Sequence, residues 1–136
     1  MNVAKPPMTD DLTRVRDILA RQSNIRQALV FGSTASGTAR MESDLDIAVE
    51  TGRPMSMAER IELIEVLAAV SGRPIDLIDL RTVGEPLLGQ ILSHGRRLIG
   101  NNTDYAALIR RHLFDAEDFL PYAERMVRER RQAWIG

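Results

Sequence analysis

The chain has 136 residues, of which 44% are apolar and 27% are charged, so it is long enough for one compact domain and too apolar for a disordered segment. Its 18 Lys and Arg residues and 19 Asp and Glu residues give a formal charge of −1, which removes the main electrostatic argument for non-specific nucleic-acid binding. The absence of cysteine and the presence of only two histidines exclude disulfide scaffolds, thiol nucleophiles and metal sites rich in Cys or His.

The domain organisation is expected to be simple. No apolar run approaches the roughly 20 residues that a membrane-spanning helix needs, and the first eight residues lack the apolar stretch of a secretory signal. We therefore expect a single domain over residues 1–136 in the cytoplasm, with no membrane contact. Within it, residues 1–8 are expected to be a flexible lead and residues 103–136 a C-terminal helical segment.

Hydrophobic periodicity and capping residues divide the chain into alternating helices and strands. The first half of the chain is predicted to contain a helix capped by Thr9 or Asp10, a strand at 25–31, a short helix or structured loop at 33–43 and a strand at 44–50. The second half is predicted to contain a helix capped by Ser56 and ended by Ser71-Gly72, a strand at 74–80 and a short helix at 86–93. An edge strand at 96–99 and a helix from Asn102 or Thr103 to about 134 complete the prediction. The expected fold is a mixed α/β (α+β) layer, with about four strands flanked by helices.

Two of the helices carry more specific expectations. The helix after Ser56 is expected to bury one apolar face, formed by Ile61, Ile64, Val66, Leu67 and Val70. Pro121 is expected to kink the last helix or to mark its boundary, because proline lacks a backbone N–H and clashes inside a helix.

Two aspartates in the second predicted strand are candidate metal ligands. Side chains alternate along a strand, so Asp44 and Asp46 should share one face while Leu45 points to the other. Two adjacent carboxylates repel each other, and a divalent cation such as Mg²⁺ would relieve that repulsion. A solvated edge strand with two exposed aspartates is the alternative interpretation.

Gly32-Ser33 is a candidate phosphate-binding turn at the end of the first predicted strand. Glycine allows a ligand to approach the backbone closely, and the N–H groups that follow can bind an anion. Taken alone, the pair also fits an ordinary turn. Together with the carboxylates, it predicts a site for a nucleoside triphosphate and Mg²⁺.

A third carboxylate is expected from the strand predicted at 74–80. Asp76 and Asp79 are three residues apart, so they should face opposite sides of the sheet and only one can join the site. We favour Asp76, because Ile75 and Leu77 flank it as Leu45 and Ile47 flank Asp46. Asp79 is expected to be a solvated or capping residue, and the choice between the two stays open at this point.

The motif Gly32-Ser33, ten residues, Asp44-Leu45-Asp46, with Asp76 on a later strand, resembles the minimal nucleotidyltransferases of the DNA polymerase beta superfamily. In size, the chain is similar to the antitoxin half of the HEPN/minimal-nucleotidyltransferase toxin–antitoxin modules. The match is close over residues 31–80. One departure is that the residues after Ser33 are neutral, and Arg40 is the first cation.

The resemblance implies the nucleotidyltransferase fold and ATP as substrate with two Mg²⁺ ions. It implies that Gly32 and Ser33 hold the triphosphate, and that Asp44, Asp46 and Asp76 bind the metal ions and act in catalysis. It also implies transfer of AMP to a tyrosine hydroxyl of a cognate HEPN ribonuclease toxin, which forms a hetero-oligomer with the antitoxin and is neutralised. A direct nucleic-acid contact is not expected.

Two other functions remain open at the level of sequence. A binding-only antitoxin could block the toxin by occlusion and keep a vestigial site, and a small-molecule nucleotidyltransferase could act on an aminoglycoside-like acceptor. The arginine-rich run at 125–131 is interleaved with glutamates, which favours a solvated helix face over RNA contact. The aromatic residues of the last helix suggest a docking surface as a further hypothesis.

Overall fold

A computed structural model describes residues 8–32 and 44–135 of the chain. The elements in chain order are α1 (Asp10–Ala20), β1 (Ile25–Phe31), β2 (Leu45–Thr51), α2 (Met57–Ser71), β3 (Ile75–Asp79), α3 (Leu87–His94), β4 (Arg96–Ile99) and α4 (Asn102–Ile135). This order confirms the predicted mixed sheet flanked by helices. The loop or helix predicted at 33–43 lies outside the described residues.

The four strands form one sheet in the order β3-β2-β1-β4. Strand β1 pairs antiparallel with both β2 and β4, whereas β2 and β3 run parallel. The buried runs in β1 and β2 are almost entirely apolar because helices cover both faces of the sheet.

Each face of the sheet has its own core. Helices α1 and α2 cover one face, with Leu12, Leu19 and Leu67 packed on Val30 and Ile47. Helices α3 and α4 cover the other face, where the buried residues are Leu29, Ala48, Leu80, Leu88, Ile91 and Leu108. The sheet is thus packed between two helical layers.

The ends of the first two helices are fixed by the residues that the sequence indicates. The Thr9 side chain accepts a hydrogen bond from the N–H of Leu12. Ser56 and Glu59 form a reciprocal capping box at the start of α2, and Gly72 ends that helix in a left-handed conformation with φ of 68°.

Three details differ from the sequence-based expectations. Strand β2 begins at Leu45, so Asp44 precedes the strand instead of opening it. In α2 the buried residues are Leu63, Leu67 and Ser71, whereas Ile61 is 49% and Val66 38% exposed, so that part of the expected apolar face is wrong. Helix α4 continues past Pro121, which excludes the boundary but not the kink that was the other expectation for this proline.

Within residues 8–32 and 44–135, no helix combines the length and the apolar character needed to cross a bilayer.

Candidate active site

Four of the predicted site residues, Gly32, Asp44, Asp46 and Asp76, lie at one edge of the sheet. Strand β1 ends where β2 begins, because the two strands are antiparallel, and β3 begins at the same edge because it is parallel to β2. In the register, Asp46 lies opposite Phe31 on one side and opposite Asp76 on the other. Two carboxylates from neighbouring strands therefore face each other directly.

The charges of two neighbouring carboxylates affect the titration of Asp46 at this edge. Asp46 is half-buried, whereas Asp44 and Asp76 are exposed. Burial is the largest cause that raises the pKa of Asp46 above its usual value, and the negative charges of Asp76 and Asp44 raise it further. A hydrogen bond between the Asp46 and Asp76 carboxyl groups, which requires a proton on one of them, acts in the same direction. Negative charge is thus concentrated at this edge.

Gly32 lies against this carboxylate pair. Its φ of 74° is in the left-handed region that favours glycine, and a Cβ at this position would collide with Oδ2 of Asp46. The close approach of Asp46 to the backbone therefore depends on the missing side chain. Ser33, the other predicted phosphate-binding residue, and Arg40, the first cation after it, lie outside the described residues.

The structure separates the two candidates for the third carboxylate. Asp76 faces Asp46 across the β2–β3 ladder, whereas Asp79 is paired with Val49 and therefore belongs to the opposite face of the sheet. Asp79 Oδ1 accepts a hydrogen bond of 2.8 Å from the N–H of Arg81, so it caps the turn that follows β3. Of the two, only Asp76 is brought to Asp46.

The donor set can be tested for its fit to a metal ion. Carboxylate oxygens are preferred ligands of Mg²⁺, and a divalent cation would offset the repulsion that raises the pKa of Asp46. Within residues 8–32 and 44–135, no group of three or more Asp, Glu, His or Cys side chains is already placed as a metal-binding cluster. The facing pair Asp46 and Asp76 therefore suits a cation, and Asp44 would have to turn its exposed side chain toward them to join.

Sequence reasoning missed one charged neighbour of this site, Arg73. It is half-buried just before β3, and its positive charge lowers the pKa of Asp46, against the effect of the carboxylates. The backbone holds this segment in place, because the carbonyl of Pro74 accepts a 2.8 Å hydrogen bond from the N–H of Leu45. The signal in the sequence was a cation three residues before Asp76, which is weak because exposed arginines are common.

The arrangement was compared with known protein families. Residues 13–104 match the family model described as polymerase beta, nucleotidyltransferase. The chain belongs to this nucleotidyltransferase family. The matched range contains all four strands together with Gly32, Arg73 and the three carboxylates. The family resemblance indicated by the sequence motif is therefore confirmed.

Individual relatives of this nucleotidyltransferase domain extend the comparison. Protein adenylyltransferase MntA of Shewanella oneidensis is 36% identical over 75 residues, which are 55% of this chain and 54% of that protein. The chain thus spans about half the length of this curated relative.

Solved structures show the same fold. A chain of the crystal structure of the toxin-antitoxin with AMP-PNP superposes with a TM-score of 0.79 at 23% identity, covering 89% of this chain and 98% of that one. A chain of the structure of the tri-AMPylated Shewanella oneidensis HEPN toxin in complex with MNT antitoxin superposes with a TM-score of 0.74 at 22% identity, covering 88% of this chain and 94% of that one. At these identities the likeness establishes the fold.

Proposed function

We propose that this chain is a Mg²⁺-dependent adenylyltransferase antitoxin, which transfers AMP from ATP to a tyrosine hydroxyl of a cognate HEPN ribonuclease toxin and thereby neutralises it. The observation that carries the proposal is the direct pairing of Asp46 with Asp76 beside the close backbone approach at Gly32. A repelling carboxylate pair next to an accessible turn is suited to a metal-bound triphosphate and has no evident structural purpose.

The relatives support the proposed chemistry and partner. The Shewanella relative is named a protein adenylyltransferase, and the superposed complexes contain AMP-PNP in one case and a tri-AMPylated HEPN toxin in the other. Because this chain has the same fold and carries the carboxylates within the family match, we extend ATP, AMP transfer and a toxin partner to it.

The proposed reaction is an in-line displacement at phosphorus. The acceptor hydroxyl oxygen attacks the α-phosphorus of ATP, a new P–O bond forms, the bond between the α-phosphorus and the oxygen bridging to the β-phosphorus breaks, and pyrophosphate leaves. Magnesium, when bound, would neutralise charge on the attacking and leaving oxygens.

The chain's own residues would position the reactants and handle the released proton. Gly32 and Ser33 are proposed to hold the triphosphate, with the Ser33 hydroxyl donating its hydrogen to a phosphate oxygen. Asp44, Asp46 and Asp76 are proposed to hold the metal ions. Asp76, the exposed member of the facing pair, is proposed to accept the hydroxyl proton at its carboxylate as the new bond forms. Positioning and charge neutralisation would account for most of the rate enhancement.

A second candidate function is a binding-only antitoxin. One observation favours it: no three acidic or histidine side chains in the described part of the chain already form a metal cluster, although Asp44, Asp46 and Asp76 are neighbours. In that case the toxin would be neutralised by contact, and the carboxylates would be dispensable.

The experiment that separates these functions is intact-mass spectrometry of the HEPN toxin encoded beside this chain, after incubation with the chain, ATP and Mg²⁺. We expect the toxin to gain whole AMP units. An Asp44→Asn/Asp46→Asn variant and a reaction containing EDTA should give no gain. A matched Glu62→Gln/Glu65→Gln variant removes two exposed carboxylates from α2 and should react like the unmodified chain.

Each other outcome has a definite meaning. Neutralisation of the toxin by both the unmodified chain and the Asp44→Asn/Asp46→Asn variant, without any mass gain, would favour the binding-only antitoxin. No mass gain and no complex would refute both antitoxin functions and leave a small-molecule acceptor. Mapping the modified residue by fragmentation tests the tyrosine assignment separately.

A further inference from the structure

Helix α3 ends at the sheet edge that carries the carboxylates. Strand β4 is antiparallel to β1, so it begins where β1 ends, and its first residue, Arg96, is paired with Val30. Gly95 alone joins α3 to β4, and its N–H donates a 2.7 Å hydrogen bond to the carbonyl of Ile91. His94, the last residue of α3, is therefore held next to the edge at which β1 ends.

Helix α3 also lies on the same face of the sheet as the carboxylates. Its residue Ile91 is buried in one cluster with Leu29 of β1 and Ala48 of β2. Because side chains alternate along a strand, Asp46 projects from the face of Ala48, two residues nearer to the edge. His94 follows Ile91 by nearly one helical turn in the direction of that edge. His94 and Asp46 thus lie on the same side of the sheet and at the same end of it.

The contacts within the protein do not account for His94. Its side chain is exposed, and within residues 8–32 and 44–135 no hydrogen bond or ion pair involves its imidazole. The other histidine differs, because His112 Nδ1 lies 2.5 Å from Oε1 of Glu85, whose side chain is only 6% exposed. His112 therefore joins α4 to the body of the protein, whereas the imidazole of His94 is available to a ligand.

Charge is distributed unevenly across this edge. The carboxylates lie on β2 and β3, whereas residues 86–103, which include all of α3 and β4, contain no Asp or Glu and three basic side chains, those of His94, Arg96 and Arg97. Arg96 belongs to the face covered by α1 and α2, and Arg97 lies over the ring of Tyr105, 5.2 Å from its centroid. Of these three side chains, His94 is the one at the carboxylate edge and on the carboxylate face.

A triphosphate in the proposed site would extend across this difference in charge. The strand order β3-β2-β1-β4, with neighbouring strands about 4.8 Å apart, arranges across the edge, in this order, Asp76, Asp46, Gly32 and His94. The α-phosphate is the one that reacts, so it belongs beside the carboxylates, and the β- and γ-phosphates then belong beside Gly32 and His94. The segment after Gly32 supplies no cation close to it in sequence, since residues 33–39 are neutral.

We propose that His94 binds the β- and γ-phosphates of the nucleotide and so positions the pyrophosphate leaving group. A protonated imidazole carries one positive charge and donates two hydrogen bonds, and the carbonyl groups at the C-terminal end of α3 favour this charge. His94 would offset the negative charge that pyrophosphate gains as its bond to the α-phosphorus breaks. This inference rests on the proposed function, because it requires a nucleoside triphosphate at the carboxylate edge.

The test is isothermal titration calorimetry of the full chain with two probes, the non-hydrolysable analogue AMP-PNP and AMP, each in the presence of Mg²⁺. We expect His94→Ala to weaken AMP-PNP binding about 5- to 20-fold, the loss typical of one charge-assisted hydrogen bond, and to leave AMP binding unchanged. His94→Arg keeps a positively charged donor and should bind AMP-PNP within about threefold of the unmodified chain. The matched control is Gln90→Ala, at an exposed position one turn earlier in α3, which should bind both probes normally. Circular dichroism verifies that every variant is folded.

The outcomes separate this inference from the proposed function. A selective loss of AMP-PNP binding in His94→Ala, with binding retained in His94→Arg, would support the phosphate contact. Unchanged AMP-PNP binding in His94→Ala, or an equal loss for AMP and AMP-PNP, would overturn it and leave the nucleotide site intact. No AMP-PNP binding by the unmodified chain would refute the nucleotide site itself, and the proposed function with it.

Discussion

The two edges of the sheet use charged residues in opposite ways. At the edge where β2 begins, Asp46 and Asp76 face each other, and their repulsion and partial burial raise the pKa of Asp46. At the other edge, just after β2 ends, Arg53 donates hydrogen bonds of 3.0 and 2.9 Å to the two carboxylate oxygens of Glu59 and lowers its pKa to about 2. One edge concentrates like charges, and the other pairs opposite ones.

The surroundings of the backbone also differ between the two edges. At the paired edge, Asn24 donates to the carbonyl of Arg53 at 3.1 Å and accepts from its N–H at 3.0 Å, so a single side chain satisfies both backbone groups of one residue. At the repelling edge, Gly32 adopts a left-handed conformation against Asp46. Like-charge repulsion of this kind is typical of functional sites, and well-satisfied polar networks are typical of structural ones.

The largest expected effect comes from removing the charge at the repelling edge. If the chain has the proposed function, Asp46→Asn should lower the rate of AMP transfer by roughly 100- to 1,000-fold. The reason is that a carboxylate proposed to hold the metal ions, and so to stabilise charge at the reacting phosphate, is removed. The free energy of unfolding should stay the same or rise, since the repulsion with Asp76 is relieved. Transfer assays and urea denaturation of the same sample measure the two quantities. Glu62→Gln, at an exposed position of α2, should change neither, and a loss of stability in Asp46→Asn would contradict the comparison.

A glycine series measures the cost of adding a side chain at the same edge. Gly32→Ala should lower the free energy of unfolding by about 2–3 kcal/mol, because it combines a left-handed φ with a collision against Asp46. Gly72→Ala has a similar φ of 68° and open space, so about 1 kcal/mol is expected from the backbone alone. Gly84→Ala has neither problem and should stay within about 0.5 kcal/mol of the unmodified chain.

Urea denaturation of the three variants ranks these costs. Equal losses for Gly32→Ala and Gly72→Ala would show that the Asp46 side chain moves away without cost, and the close approach at Gly32 would then have no energetic consequence.

At the paired edge a smaller and purely structural effect is expected. Ser56→Ala removes the hydroxyl that accepts from the N–H of Glu59 at 3.1 Å, so the free energy of unfolding should fall by about 1 kcal/mol with no change in AMP transfer. Ser93→Ala, at an exposed position inside α3, is the matched control and should have little effect on stability. A loss of transfer in Ser56→Ala would show that the two edges are not independent.

Sequence predicted most of this fold because its elements carry strong local signals. The bounds of β1 and β4 and the start of α1 were correct, since capping residues and apolar runs mark them. The buried face of α2 was partly wrong because that helix has apolar residues all around, and only packing on the sheet selects Leu63 and Leu67 and leaves Ile61 exposed. Of the two alternatives for Pro121, the boundary is wrong because α4 continues past this residue, and the kink stays a prediction.

The sequence predicted which residues could form the site but not how they are arranged in space. The spacing of Gly32, Asp44 and Asp46 identified the candidates, and strand alternation separated Asp76 from Asp79. The direct pairing of Asp46 with Asp76 depends on the parallel register of β2 and β3, which no local pattern determines. Arg73 was missed for the same reason, since its relation to Asp46 arises from neighbouring strands. The roles of Ser33, the metal ions and the acceptor tyrosine remain predictions.

The smallest expected effects are changes of folding stability with pH, which have opposite signs at the two edges. The raised pKa of Asp46 means that its ionised form destabilises the folded state above that pKa, and that this penalty is relieved as the pH falls toward its ordinary value of 3.8. The lowered pKa of Glu59 means that its stabilisation is complete above its ordinary value of 4.5 and is lost as the pH falls toward about 2. At pH 7, thermal denaturation should therefore give Asp46→Asn a higher and Glu59→Gln a lower melting temperature than the unmodified chain. Both differences should shrink at about pH 3.5. Differences of the same sign at neutral pH would mean that both edges are organised alike, and the electrostatic distinction between a functional and a structural edge would fail.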